Sequence, residues 1–525
     1  MRRVVEGVEA VNSQRKVLIF GLLAFAASGI FAAYWFSVCN SKVFACFALL
    51  GCLAVTALVC VYKSEVIKNK SRGLVHFSII LSVFCLVYAF AFPPFSVADE
   101  GHHYFASYWL SDIVMGQATP ADGNAFPIRS EDVDFYDASS TVIDYKAYRT
   151  VAEHFFEFSD NPNELEMMTG VNLSIGGENI FAKLGSVVGL LFGRLFGLGA
   201  YPLFYLGRIT SALFFIGCAV LAVKITPVGK SVFAVVSLLP MTLHLAASYS
   251  YDGGIIGIAF VLTALLLKAI YCKEKLSKFE LFGILLCSIM LAPMKVIYTL
   301  LLGLVFFIPA DRFASRRSSQ LFKAGVLAAA LLSILCLRLA SVSALAASSG
   351  TGLDSRGTEV GHFYDLSDFI AKPIAAITLF LRTFDSTGDF YLRSTLGGSL
   401  GWFQANIAIP FFYLVPILVV LFLSVQRDDE DTVQPTMAFR ISAIAIALVC
   451  FLALHLSMAL AWTFDNETVI QGVQGRYFLP FLPAALLALR SRAVKVAGNQ
   501  FTCFVTSISV INILMLIRMV AVAIV

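Results

Sequence analysis

Thirteen apolar runs divide this chain, near residues 17–38, 43–62, 74–92, 203–224, 231–249, 254–271, 279–292, 293–309, 322–346, 407–425, 439–462, 476–489 and 501–524. A helix needs about 20 apolar residues to cross the hydrocarbon core of a bilayer. Backbone polar groups must pair internally there, so runs of this length lead to a bundle of transmembrane helices. The fold class expected is an all-α polytopic membrane protein with about thirteen spans. Composition agrees: 59% of the 525 residues are hydrophobic and 14% charged, against roughly 45–50% and ~25% in soluble domains. That excludes a disordered chain, a cytosolic enzyme and a secreted disulfide scaffold. The 11 cysteines fall in or beside apolar runs, with no metal-binding or disulfide spacing.

The net charge of +4 hides an asymmetry. Residues 93–180 hold 15 acidic and 3 basic side chains, a local −12, which leaves +16 for the rest. Short basic connections mark the cytoplasmic side. They contain Lys63, Lys68, Lys70 and Arg72; Lys224 and Lys230; Lys273, Lys275 and Lys278; Arg312, Arg316 and Arg317; and Arg490, Arg492 and Lys495. The N-terminus is therefore expected in the cytoplasm, its basic residues followed by a retained first span rather than a cleaved signal. One connection on that side is acidic, Asp428-Asp429-Glu430-Asp431, and acids weigh little in the rule.

Five regions follow: three helices in 1–92, an acidic extracytoplasmic loop in 93–202, helices in 203–346, a second extracytoplasmic loop in 347–406, and helices in 407–525. Within 203–346, the short runs split by Pro293 suggest a hairpin with Lys295 at its outer tip; one long kinked helix is the alternative. At the end of the first loop, Leu184, Val187, Val188, Leu191 and Leu195 recur at helical spacing. This predicts an amphipathic helix on the membrane surface, or else a fourteenth span.

Candidate chemistry gathers at the outer ends of the spans. Pro93-Pro94 end a span, and Asp99-Glu100-Gly101-His102-His103 follow. Neighbouring carboxylates there suit a general base, and with His102 or His103 a divalent metal site; a solvated loop start is the plainer alternative. No span carries an acid away from its ends, which disfavours an ion-coupled transporter. The intramembrane cations are Arg208, Lys295, Arg338, Arg476 and Arg518. They suit either a lipid-phosphate clamp or simple snorkelling to the interface. Asp252, in a short outer turn, reads as a helix N-cap or a site residue. Gly397-Gly398-Ser399-Leu400-Gly401-Trp402-Phe403 reads as a tight re-entry turn or a close backbone approach to a ligand.

These stretches carry a resemblance. PPFSVADEGHHY (93–104), GRLFGLGAYPLFYLGRI (193–209), LLPMTLHLAASYSYDG (238–253), APMK (292–295), GGSLGW (397–402) and QGRYFLPFLP (474–483) occur in order. Together they resemble the bacterial integral-membrane family known as domain of unknown function 2142, itself similar to GT-C glycosyltransferases. The resemblance implies an enzyme of the bacterial inner membrane. It would move a sugar from a polyprenyl-phosphate donor to an extracytoplasmic glycan or cell-envelope polymer, with the bilayer as its other partner and no nucleic acid involved. Asp99 and Glu100 match the position of the GT-C acidic motif and would supply the base. Lys295, Arg476 and, more weakly, Arg208 would hold the lipid phosphate, with Asp252, His102 and His103 nearby. One departure is that the acidic motif follows the third span rather than the first, as if two spans were added in front. A lipid-sugar flippase or polysaccharide transporter is the alternative, and a non-catalytic assembly protein a third class.

Overall fold

The computed structural model describes residues 2–64, 70–117, 125–169, 179–348, 362–402, 408–427, 433–494 and 499–525. The acidic run 428–431, Phe403, Lys68 and Lys495 lie outside them. Among the described residues, eight helices are long and apolar enough to cross a membrane. They are α1 (Arg2–Cys39), α2 (Lys42–Lys63), α3 (Lys70–Ala91), α8 (Ala200–Ile225), α11 (Tyr251–Tyr271), α13 (Arg316–Ser348), α17 (Met437–Trp462) and α19 (Gln500–Ile524). The chain is an all-helical multi-pass membrane protein.

Five of the thirteen predicted runs do not form full-length helices. Residues 231–249 break at Pro240 into α9 (Lys230–Ser237) and α10 (Pro240–Ala246), because proline lacks an N–H and suits a first turn better than a helix interior. Residues 279–309 form α12 (Lys278–Met294) and a 3₁₀ helix, Val296–Phe307. The Leu276 N–H donates to Arg312 O at 2.9 Å, so the two ends of this segment lie side by side and the chain between them doubles back at Lys295. Arg338 of α13 donates to Met294 O at the tip. α16 (Phe411–Ser424) is 14 residues long and contains Pro416. The run 476–489 is a 3₁₀ turn, Gly475–Phe478, followed by α18 (Leu482–Ala488).

The first loop folds on itself. It holds α4 (Glu100–Met115), α5 (Ser130–Ala138), α6 (Tyr145–His154) and α7 (Leu184–Leu195). It also holds an antiparallel ribbon of β1 (Phe126–Arg129) and β2 (Leu165–Met168), registered Phe126 to Met168. Phe95, Tyr104, Phe105, Tyr108, Phe126 and Phe135 pack with Phe204 and Tyr249 into a separate aromatic core.

α7, the helix expected to be amphipathic, packs along the first half of α8. Built Cβ atoms on Gly185 and Gly189 would come within 2.7 Å of the α8 backbone at Ser211 and Gly207. Small residues four apart allow this close approach, and a 12-residue helix, about 18 Å long, is too short to span. The second loop contributes α14 (Leu366–Ala371) and the amphipathic α15 (Pro373–Leu396). The last helix, α19, ties the bundle together: Asn512 accepts from Tyr88 of α3 at 2.8 Å and donates to Leu238 O at 2.9 Å.

Candidate functional site

The site starts from the break after α3. Pro93 and Pro94 stop the helix, which leaves its last carbonyls without intrahelical partners. Arg208 of α8 takes them up: Nη1 donates to Ala89 O and Phe92 O, and Nη2 to Pro93 O. The same guanidinium grips Glu100 with both branches, Nε to Oε1 at 2.8 Å and Nη2 to Oε2 at 2.5 Å. The Tyr249 N–H also donates to Glu100 Oε1. Neither Glu100 nor Arg208 exposes any surface. Glu100, expected as a candidate base, and Arg208, expected as a candidate phosphate ligand, are spent on each other and on the end of α3, so together they pin α3, the turn and α4.

Asp99, one residue earlier, points the other way. It sits in the left-handed region at φ 60°, which costs on the order of 1–3 kcal/mol for a non-glycine residue and which Asp tolerates better than most. Although it precedes α4, its carboxylate does not cap the helix. Instead Oδ2 accepts from Arg476 Nη2 at 2.9 Å, with 45% of the side chain exposed.

Arg476 is delivered by an unusually close backbone approach. A Cβ on Gly475 would collide with Tyr391 O and Thr395 N of α15. The Gly475 N–H donates to Ser394 Oγ, and Thr395 Oγ1 donates back to Gly475 O. The guanidinium also makes an ionic contact, Nε to Asp252 Oδ2 at 3.4 Å, without hydrogen-bond geometry. Asp252 is not the N-cap expected from sequence. Ser250 caps α11, and Asp252 reaches across to Lys295 Nζ at 3.1 Å. The ammonium lies 3.8 Å from the Tyr477 ring centroid and 5.0 Å from that of Tyr251, close enough for cation–π attraction. Lys295 is thus paired and caged rather than a free snorkelling cation.

Asp99, Arg476, Asp252 and Lys295 therefore form a chain of alternating charge, exposed at its Asp99 end. His103 lies beside it, buried, its ring 4.5 Å from that of Tyr251. Burial, then the cations Lys183, Arg476 and Lys295, hold its pKa well below the usual histidine value. Lys183, just before α7, is a member that sequence reading passed over. It is buried with no acidic partner among the described residues and donates to His103 O at 3.0 Å. His102 is exposed. Asp99, Glu100 and these histidines do not fit a divalent metal: both Glu100 oxygens are held by Arg208, and no three His, Cys, Asp or Glu side chains gather as a ligand set among the described residues.

The glycine-rich stretch closes over the same place. Gly397, at φ 98°, abuts Pro240 so closely that a Cβ would strike it. Gly401 N–H donates to His244 Nε2, and Trp402 Nε1 donates to Phe95 O at 2.8 Å. Five of the six quoted stretches, far apart in sequence, thus meet around one turn, and the sixth supplies Arg208.

Residues 81–485 match the family model DUF2142, described as a predicted membrane protein. The chain belongs to this family. The match covers more than three quarters of the 525 residues, and no curated protein or solved structure matches the chain. The DUF2142 region starts within α3 and ends in α18. It includes every residue of the charged cluster and leaves α1, α2 and α19 outside.

Proposed function

We propose that this DUF2142 protein transfers a sugar from a polyprenyl-phosphate carrier to an extracytoplasmic glycan or cell-envelope polymer. In this reading it sits in the bacterial inner membrane with its N-terminus in the cytoplasm and the cluster on the outer side. The observation that carries the reading is the convergence of an exposed carboxylate, Asp99, with two held cations, Arg476 and Lys295, at one end of the spans.

Asp99 has one oxygen on Arg476 and presents the other to solvent. It takes the proton from an acceptor hydroxyl. The acceptor oxygen then forms a bond to the anomeric carbon while the bond from that carbon to the phosphate oxygen breaks, with inversion. The electron pair leaves on the polyprenyl phosphate. Arg476 and Lys295 stabilise the charge that develops there, since preorganised charges are often the largest catalytic contribution. Asp252 holds the two cations together and keeps their mutual repulsion from splaying them. Glu100 and Arg208 act through position alone, by aiming the turn that carries Asp99.

Sugar transfer from a panel of polyprenyl-phosphate donors tests this, measured in membranes at matched protein abundance. Asp99→Asn preserves shape and tolerates the left-handed backbone. It should lower the rate roughly 10²–10⁴-fold, the usual contribution of a general base. Wild-type transfer by Asp99→Asn would remove the catalytic assignment and bring the lipid-sugar flippase reading forward.

A further inference from the structure

At the opposite end of the bundle from Asp99, an open groove of about 630 Å³ runs along the start of α13 beside Leu285 of α12. This is the end where Leu276 meets Arg312 and α13 begins. The groove lies within the range of about 300–1,000 Å³ typical of ligand sites. It is lined by Leu285 of α12 and by Arg317, Ser318, Phe322, Gly325 and Ala329 of α13, with Ser315 at its mouth. Its two halves differ in chemistry. The mouth holds a guanidinium, two hydroxyls and the N-terminal turn of a 33-residue helix, where Ser318 N–H is capped by Ser315 Oγ. Backbone N–H groups at such an end favour an anion.

Below the mouth the lining is apolar. From Arg317 to Ala329 it runs about 18 Å at 1.5 Å per residue, close to half of the roughly 30 Å hydrocarbon core. The space beside Gly325 is empty, with nothing within 4 Å of where a Cβ would stand. The neighbouring cation Lys323 is committed, donating to Phe306 O and Ile308 O. Arg317 is exposed and makes no ion pair among the described residues.

The geometry points to a binding site for an anionic glycerophospholipid, its phosphate on Arg317 and the serine hydroxyls and one acyl chain along Phe322 and Gly325. A charged head above one leaflet's depth of apolar wall matches a lipid and leaves most of the groove unused by free phosphate. Basic pockets between transmembrane helices hold anionic lipids in this way. The site is independent of the charged cluster at the other end.

Native mass spectrometry of the full-length protein, titrated with phosphatidylglycerol or phosphatidylcholine, reads the binding directly. The wild type should bind phosphatidylglycerol at least about tenfold more tightly than phosphatidylcholine. Arg317→Ala should abolish that preference, while Arg316→Ala, which changes the same charge outside the groove, should keep it. Gly325→Phe, which fills the apolar part, should weaken both lipids. Equal effects of the two arginine variants would show diffuse attraction to a basic surface and overturn the site. Displacement of the lipid by millimolar inorganic phosphate alone would overturn the lipid assignment, as would equal binding of the two lipids.

Discussion

Asp99 and Glu100 are adjacent in sequence and opposite in role. Glu100 is fully buried and neutralised by Arg208, and removing one partner of such a pair leaves an uncompensated charge at a cost of about 3–5 kcal/mol. Glu100→Gln should therefore lower the unfolding temperature in detergent markedly, whereas Asp99→Asn should leave it close to wild type. Equal stability of the two variants would contradict the separation. Lys183 supplies a second test. Burial pushes its amine down to about 7 from 10.5. Between those values the unfolded chain binds the proton and the folded chain does not, so stability rises with pH across that window; below about 7 the penalty of a buried charge is fully present. Lys183→Met should flatten the rise in unfolding temperature between pH 7 and 9 relative to wild type, and parallel curves for the two proteins would argue against a penalised amine.

The elements place these side chains through contacts that local sequence does not announce. Gly475→Ala would push the 3₁₀ turn off α15 and displace Arg476. Misplacement by about 1 Å can cost on the order of 10²-fold in rate, so transfer should fall by that order while the unfolding temperature changes less than in Glu100→Gln. A transfer rate at wild-type level would show that the close approach does not set the site. The eight long helices were legible because apolar runs above the spanning length admit few other structures. The hairpin was legible because Pro293 divides two runs that are each too short. Less visible were the 3₁₀ character of 296–307, the Pro240 break and the packing of α7 along α8, all decided by neighbouring helices. Within the site, Asp99, Lys295 and Arg476 were legible as charges at the ends of apolar runs. Their pairing through Asp252, and the burial of Glu100 with Arg208, depended on residues from 43 to 377 positions apart being brought together.

At the scale of the whole molecule, the family region forms a bundle whose one end gathers charge beneath a folded loop, while α1, α2 and α19 flank it. The loop's own aromatic core fixes α4 above the spans, and the glycine-rich stretch at 397–402 closes the far side through Trp402. The charges inside this frame nearly cancel, two cations against Asp252 and Asp99, so an incoming phosphate can take the place of the exposed Asp99 on Arg476 without breaking the inner pair. The central claim is that Arg476 and Lys295 act together on one lipid phosphate, and a double-mutant cycle measures that directly. Purified protein in nanodiscs would be assayed for polyprenyl-phosphate binding as wild type, Arg476→Ala, Lys295→Ala and the double variant. The account predicts that each single change weakens binding severalfold or more and that the double change costs less than the sum, because partners on one ligand couple. Additive losses, or binding unchanged in either single variant, would contradict it.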